Sequence, residues 1–150
     1  MPLTLLSNSV EIILSAVSAN FIAQFYKFIV FLIVHRQINF KRLFQTGGMP
    51  SSHSSFMMAM ATSTGLIDGF NSALFAIAFT MALVVMYDAA GLRRAVGKQA
   101  SVLNQIVSEI FSEHPNLSTQ KFRELLGHTP VEVFVGAILG AAVASGIHGL

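Results

Sequence analysis

The sequence predicts an all-α membrane protein: a polytopic helical bundle of about four transmembrane helices, with one further amphipathic helix on the membrane surface. Two observations predict it. Hydrophobic residues make up 53% of the 150 residues and charged residues only 11%, whereas a soluble domain carries about a quarter charged residues. So few charges cannot cover a water-facing surface. The apolar residues are also gathered into four stretches close to the length of about 20 residues that crosses a bilayer. Polar joints rich in glycine, proline or charge separate them. The length fits one domain over residues 1–150, without internal repeats or low-complexity tracts.

The first stretch, about Val10 to Val34, is long enough to span and is interrupted by Glu11, Gln24 and Lys27. Met1-Pro2-Leu3-Thr4 lacks the basic start of a signal peptide, so this stretch is expected to stay attached. A loop from His35 to Met49 carries Arg36, Lys41 and Arg42 and ends in Gly47-Gly48. The second stretch, about Ser51 to Ile67, is rich in Met, Ala, Ser and Thr, small residues that let helices approach closely. Pro50 suits its first turn, where no amide donor is needed. Asp68-Gly69-Phe70-Asn71 reads as a turn. The third stretch starts near Ser72, is apolar through Tyr87, and runs into Asp88 and the basic residues Arg93 and Arg94. From Lys98 to Phe111, Val102, Leu103, Ile106, Ile110 and Phe111 recur at helical spacing, which predicts the amphipathic surface helix. Glu113 to Ser118 reads as a polar loop and Leu117 to Leu126 as a short capped helix. The fourth stretch runs from Pro130 to about Leu150. Its Gly136 and Gly140 form a small-xxx-small pair, expected to be a packing face.

With four spans, Arg36, Lys41, Arg42, Arg93, Arg94, Lys98, Lys121 and Arg123 share one side, and Lys27 alone lies within a span. Both termini and the 68–71 turn carry no Lys or Arg. The excess of basic loops marks the cytoplasmic face, or the stromal one in a plastid. The expected home is therefore a bacterial inner membrane or a plastid membrane. The pI of about 9.3 follows from this topology rather than from a nucleic-acid surface. There is no cysteine, which excludes disulfides and thiolate metal sites.

Four constellations fall on the basic side. Gly47-Gly48-Met49-Pro50-Ser51-Ser52-His53-Ser54-Ser55 opens a helix, whose free amides attract anions, phosphate above all. His53, one turn in, can exchange a proton near neutral pH. Gly127-His128-Thr129-Pro130-Val131-Glu132 opens another helix, with His128 and Glu132 four residues apart on one face. A carboxylate on one ring nitrogen fixes the tautomer and leaves the other nitrogen the better nucleophile. Glu132 is equally suited to be a simple N-terminal charge on that helix. Asp88 with Arg93, Arg94 and Lys98 forms the third group, although the two arginines equally suit headgroup anchoring. Lys27 with Gln24 forms the fourth, since a lysine inside a span is a functional candidate. No third ligand accompanies His128 and Glu132, so no metal is expected. His35, His114 and His148 are given no role. Cations and amides around three oxygens, a nucleophile and an acid are what phosphoryl transfer needs.

Three blocks carry a resemblance: the Gly-Gly-Met-Pro-Ser-Ser-His-Ser segment, Asp88 through Gln99, and Leu125-Leu126-Gly127-His128-Thr129-Pro130. With Ala23-Gln24 and Lys27, they cover nearly the whole chain. The sequence resembles the divergent membrane branch of the type 2 phosphatidic acid phosphatase and vanadium-dependent haloperoxidase superfamily. The superfamily motif Pro-Ser-Gly-His implies a general acid at His53, with Ser52 in place of the glycine. The motif Ser-Arg, five residues, His, three residues, Asp implies a nucleophile at His128, with Glu132 one methylene longer than the Asp. Phe122 stands where that motif has Arg, and Arg123 is one position away. Lys27 matches the Lys of a third motif, but Val34 and His35 stand where Arg-Pro follows. Arg93, Arg94 and Lys98 are the cations available to substitute.

The resemblance implies an integral membrane lipid-phosphate phosphatase forming a phosphohistidine, with no metal or other cofactor. Phosphatidylglycerophosphate is the first candidate substrate because its synthesis occurs on the cytoplasmic face; phosphatidate and polyprenyl diphosphate are the others. Lys27, Ser51, Ser52, Arg93, Arg94 and Lys98 would hold the phosphate, with Asp88 and Arg123 as further candidates. Membrane lipids are the expected partners, and a homodimer would supply walls that a bundle smaller than the superfamily's six helices lacks. The competing readings are a non-catalytic protein binding phosphate or headgroups at the same site, and a transporter subunit lined by Lys27, Asp88 and Glu132.

Overall fold

The computed structural model describes residues 7–36, 38, 48–112 and 127–149, with the backbone alone for 92–94 and 109–112. Arg123, the loop of Glu113 to Ser118 and the helix expected from Leu117 to Leu126 lie outside them. Among the described residues five helices follow one another: α1 Asn8–His35, α2 Ser52–Asp68, α3 Ala73–Ala90, α4 Leu92–Ser112 and α5 Pro130–His148. Among the described residues there is no strand.

α1, α3 and α5 are long and apolar enough to cross a membrane. The shorter α2, of 17 residues, lies at the centre and packs against all three. That position explains its composition. A helix enclosed by other helices meets little lipid, so its Ser52, Ser54, Ser55, Ser63, Thr64 and Gly65 can be buried together. The buried apolar residues described are ten alanines and Val133, while Phe21, Phe25, Ile77, Val84, Phe134 and Ile138 face outward. A soluble core has the reverse arrangement. In a bilayer, large apolar side chains lose nothing by facing lipid, and close packing of small ones holds helices together.

The closest packing joins α2 to α5. A Cβ on Gly136 would meet the backbone carbonyl of Ser51, and one on Gly140 that of Ser55, with the Ala59 amide 2.9 Å away. The expected packing face is therefore correct for these two glycines, whereas Gly146 faces open space. Ala19, Ala59 and Ala144 form one cluster where α1, α2 and α5 meet. Ala61, Ala78 and Ala82 form another between α2 and α3, flanked by Met57, Met60 and Met86. These contacts run α2 antiparallel to α1 and parallel to α5.

Two expectations need correction. Pro50 does not open α2: Ser51 is the N-cap, its hydroxyl accepting from the Ser54 amide, and Ser52 is the first helical residue. A serine oxygen can satisfy a free helix amide and a proline cannot, so the helix starts after the serine. Pro50 is buried ahead of it, after a cis Met49–Pro50 bond. The amphipathic helix begins at Leu92, six residues before Lys98. Gly91 alone breaks the chain there, its N–H donating to the Tyr87 carbonyl at 2.8 Å. The block from Asp88 to Lys98 therefore straddles a helix corner. On α4, Gly97 and Ala100 are buried while Val102, Leu103 and Ile106 are exposed, as an apolar face directed at lipid requires.

Candidate active site

α5 starts with a reciprocal cap that places its acid. The Thr129 hydroxyl accepts from the Glu132 amide at 3.3 Å, and Glu132 Oε2 accepts from the Thr129 amide at 3.2 Å. Pro130 occupies the first turn, as expected. The same Oε2 accepts from His128 Nδ1 at 3.0 Å. A carboxylate offers only acceptors, so Nδ1 carries a hydrogen, and in the neutral ring the lone pair falls to Nε2. The N-terminal charge and the histidine partner, two readings of Glu132, are both realised by one oxygen. His128 itself is 3% exposed, and its backbone amide donates to the Ala89 carbonyl at 3.0 Å. That bond pins the residue before the α5 N-cap to the end of α3.

The start of α2 is tied to the same place. The Ser51 amide donates to the Glu132 carbonyl at 3.0 Å, so the two helix N-termini converge. His53, half-buried, then faces His128 with ring centroids 6.4 Å apart and planes at 62°. The histidines lie 75 residues apart in the chain, and the Gly136 and Gly140 contacts allow the approach. Lys27 reaches in from α1, its Nζ donating to Ser52 Oγ at 3.4 Å. Gly48 lies against the lysine stem, since a Cβ there would be 3.7 Å from Lys27 Cδ. Gly48 adopts φ +78°, a conformation suited to glycine.

The other expected residues are placed less directly. Ser51 is fully buried and its hydroxyl is used in capping, accepting from both the amide and the hydroxyl of Ser54. Asp88 is half-buried at the end of α3, next to the carbonyl that holds His128. Lys98 is exposed on α4. Arg93 and Arg94 lie in its first turn, their side chains outside the described set, as is all of Arg123. Gln24, one turn before Lys27, has a buried Oε1 with no hydrogen-bond partner. Among the described residues no group of three His, Cys, Asp or Glu side chains could hold a metal ion.

Sequence reasoning missed two features. The Thr129-Pro130-Val131-Glu132 pattern is a readable capping box, and it predicts the turn that aims Glu132 back at His128. At the other end of the bundle, His148 Nδ1 donates to Glu11 Oε1 at 2.8 Å. No local signal marks that pair, because its members are 137 residues apart.

Comparison with known proteins gives the chain a family. Residues 8–143 match the family model described as the Divergent PAP2 family. The chain is 38% identical over 138 residues to the uncharacterized membrane protein YuiD of Bacillus subtilis (strain 168), covering 85% of this chain and 87% of that one. No solved structure matches. The match covers α1, α3, most of α5 and both site histidines, and these three helices are long and apolar enough to cross a bilayer, so the chain is an integral membrane protein belonging to the Divergent PAP2 family.

Proposed function

We propose that this protein is a membrane lipid-phosphate phosphatase working through a phosphohistidine. The observation that carries the reading is the His128–Glu132 hydrogen bond, with the His53 ring opposite it at 6.4 Å. An attacking atom sits roughly 3–3.5 Å from its target, and an acid about 2.6–3.2 Å from the oxygen it protonates. With the breaking P–O bond between them, those distances put the two reacting nitrogens about 7–8 Å apart, so the rings move apart from their 6.4 Å spacing to admit the phosphoryl group.

His128 Nε2 attacks phosphorus, the bond from phosphorus to the lipid oxygen breaks, and His53 gives that oxygen a proton. His53, now neutral, takes a proton from water as the water oxygen attacks phosphorus. The P–N bond breaks, inorganic phosphate leaves, and His128 regains its lone pair. Glu132 holds the Nδ1 hydrogen throughout and balances the positive ring of the phosphohistidine. Lys27, the Ser52 hydroxyl and the two converging helix N-termini supply positive potential for the oxygens. Arg93, Arg94 and Lys98 add charge from α4, with Asp88 beside them at the corner. The basic side, and with it the site, faces the cytoplasm or stroma.

The test is phosphate release by detergent-purified protein from phosphatidylglycerophosphate, phosphatidate and a polyprenyl diphosphate. Release from at least one lipid, abolished by His128→Ala, is expected. A second reading, headgroup binding without turnover, draws on Phe122, Val34 and His35 standing where the superfamily motifs have Arg or Pro. Lipid or vanadate binding without any release, unchanged in His128→Ala, would replace the first reading with this one.

A further inference from the structure

α1 and α5 run antiparallel beside α2, and their buried positions are filled mainly by small side chains, most of them three or four residues apart. On α1 these are Ser15, Ala16, Ala19 and Ala23; on α5 they are Val133, Gly136, Gly140 and Ala144. Such a seam nearly repeats with each helical turn. Sliding α1 by one turn, about 6 Å, exchanges Ala19 for Ala23 or Ser15, so packing alone separates the registers poorly.

Charge separates them. Glu11, 4% exposed, accepts from His148 Nδ1 at 2.8 Å. Lys27 lies sixteen residues after Glu11, and Glu132 sixteen residues before His148. Lys27 donates to Ser52, whose neighbour Ser51 is bonded through its amide to the Glu132 carbonyl. Glu11 of α1 thus pairs with His148 of α5 at one end, and Lys27 of α1 pairs with Ser52, beside the start of α5, at the other, about 24 Å away at 1.5 Å per residue. A one-turn slide breaks both pairings and strands a buried carboxylate, which is strongly unfavourable. We propose that Glu11 and His148 are positioning residues: their contact sets the register of α1 against α5, and so keeps Lys27 beside Ser52 at the far end. The consequence for turnover rests on the phosphatase reading; the register does not.

The absence of native cysteine allows a direct test by oxidative cross-linking in membranes. Ala19→Cys with Ala144→Cys joins two members of one cluster, whereas Ala23→Cys with Ala144→Cys requires a slide of one turn. The first pair should cross-link and the second scarcely. Adding Glu11→Ala or His148→Ala should raise the second product several-fold at the expense of the first. Exchanging the two residues, Glu11→His with His148→Glu, should restore the original pattern. An unchanged pattern in the single variants, or an exchange that restores nothing, overturns the proposal. If a single variant does not accumulate, Glu11→Ala with His148→Ala buries no lone charge and carries the same measurement. Phosphate release followed in parallel should fall at least roughly tenfold as the slipped product appears, since small misplacements of a positioning group are costly. A register shift in a protein that releases no phosphate even with Glu11 and His148 intact would leave the register proposal standing and remove the phosphatase reading.

Discussion

His53 and His128 differ in what surrounds them, and the difference supports the tasks proposed for them. His128 is buried, held at its backbone by Ala89 and at its ring by Glu132, which suits an atom that must attack along one line. His53 is half-buried on the first turn of α2, where a proton can come and go. The assignment predicts a dependence on leaving group. With a lipid phosphate, His53→Ala should lower the rate by roughly 10²–10⁴-fold; with p-nitrophenyl phosphate, whose leaving group needs no proton, the loss should be much smaller. Equal losses on both substrates would count against His53 as the acid. Glu132→Gln keeps the shape but removes the charge that supports the imidazolium, so kcat should fall with little change in KM. The pairing of His128 and Glu132 was legible in the sequence because they lie four residues apart, although His128 sits ahead of the α5 cap and not on the helical face expected for it. That one carboxylate oxygen serves both the ring and the Thr129 amide was not, because it depends on where the cap closes.

At the scale of elements, the glycines of α5 separate packing from composition. Gly140→Ala pushes a methyl into the Ser55 carbonyl and should destabilise the protein by about 1–3 kcal/mol, the usual cost of overpacking. Gly146→Ala, facing open space, should leave stability unchanged. Thermal unfolding in detergent measures both, and equal effects would mean that α2 and α5 do not meet as described. Removing the α5 cap with Thr129→Ala should cost about 0.5–2 kcal/mol and loosen Glu132 as well. Helix existence was readable from hydrophobic runs, yet the start of α4 was not. Leu92 to Gly97 carries the charges that look like a loop, and only the single break at Gly91 shows that helix resumes at once.

For the whole molecule, the basic residues predict orientation. A lone cysteine introduced at Asn71, on the turn between α2 and α3, should react with an impermeant reagent from outside intact cells. One at Lys98 should react only after the membrane is opened. The reverse labelling would place the site on the outer face. Composition and periodicity were enough to establish an all-α membrane bundle and its polar joints, because those depend on neighbours in the chain and on the solvent. Three things came only from tertiary structure: that the small-residue helix α2 sits at the centre, that its His53 meets His128 from 75 residues away, and that Glu11 finds His148. Each depends on which small faces pack together, and alanine and glycine stripes look alike from one helix to the next.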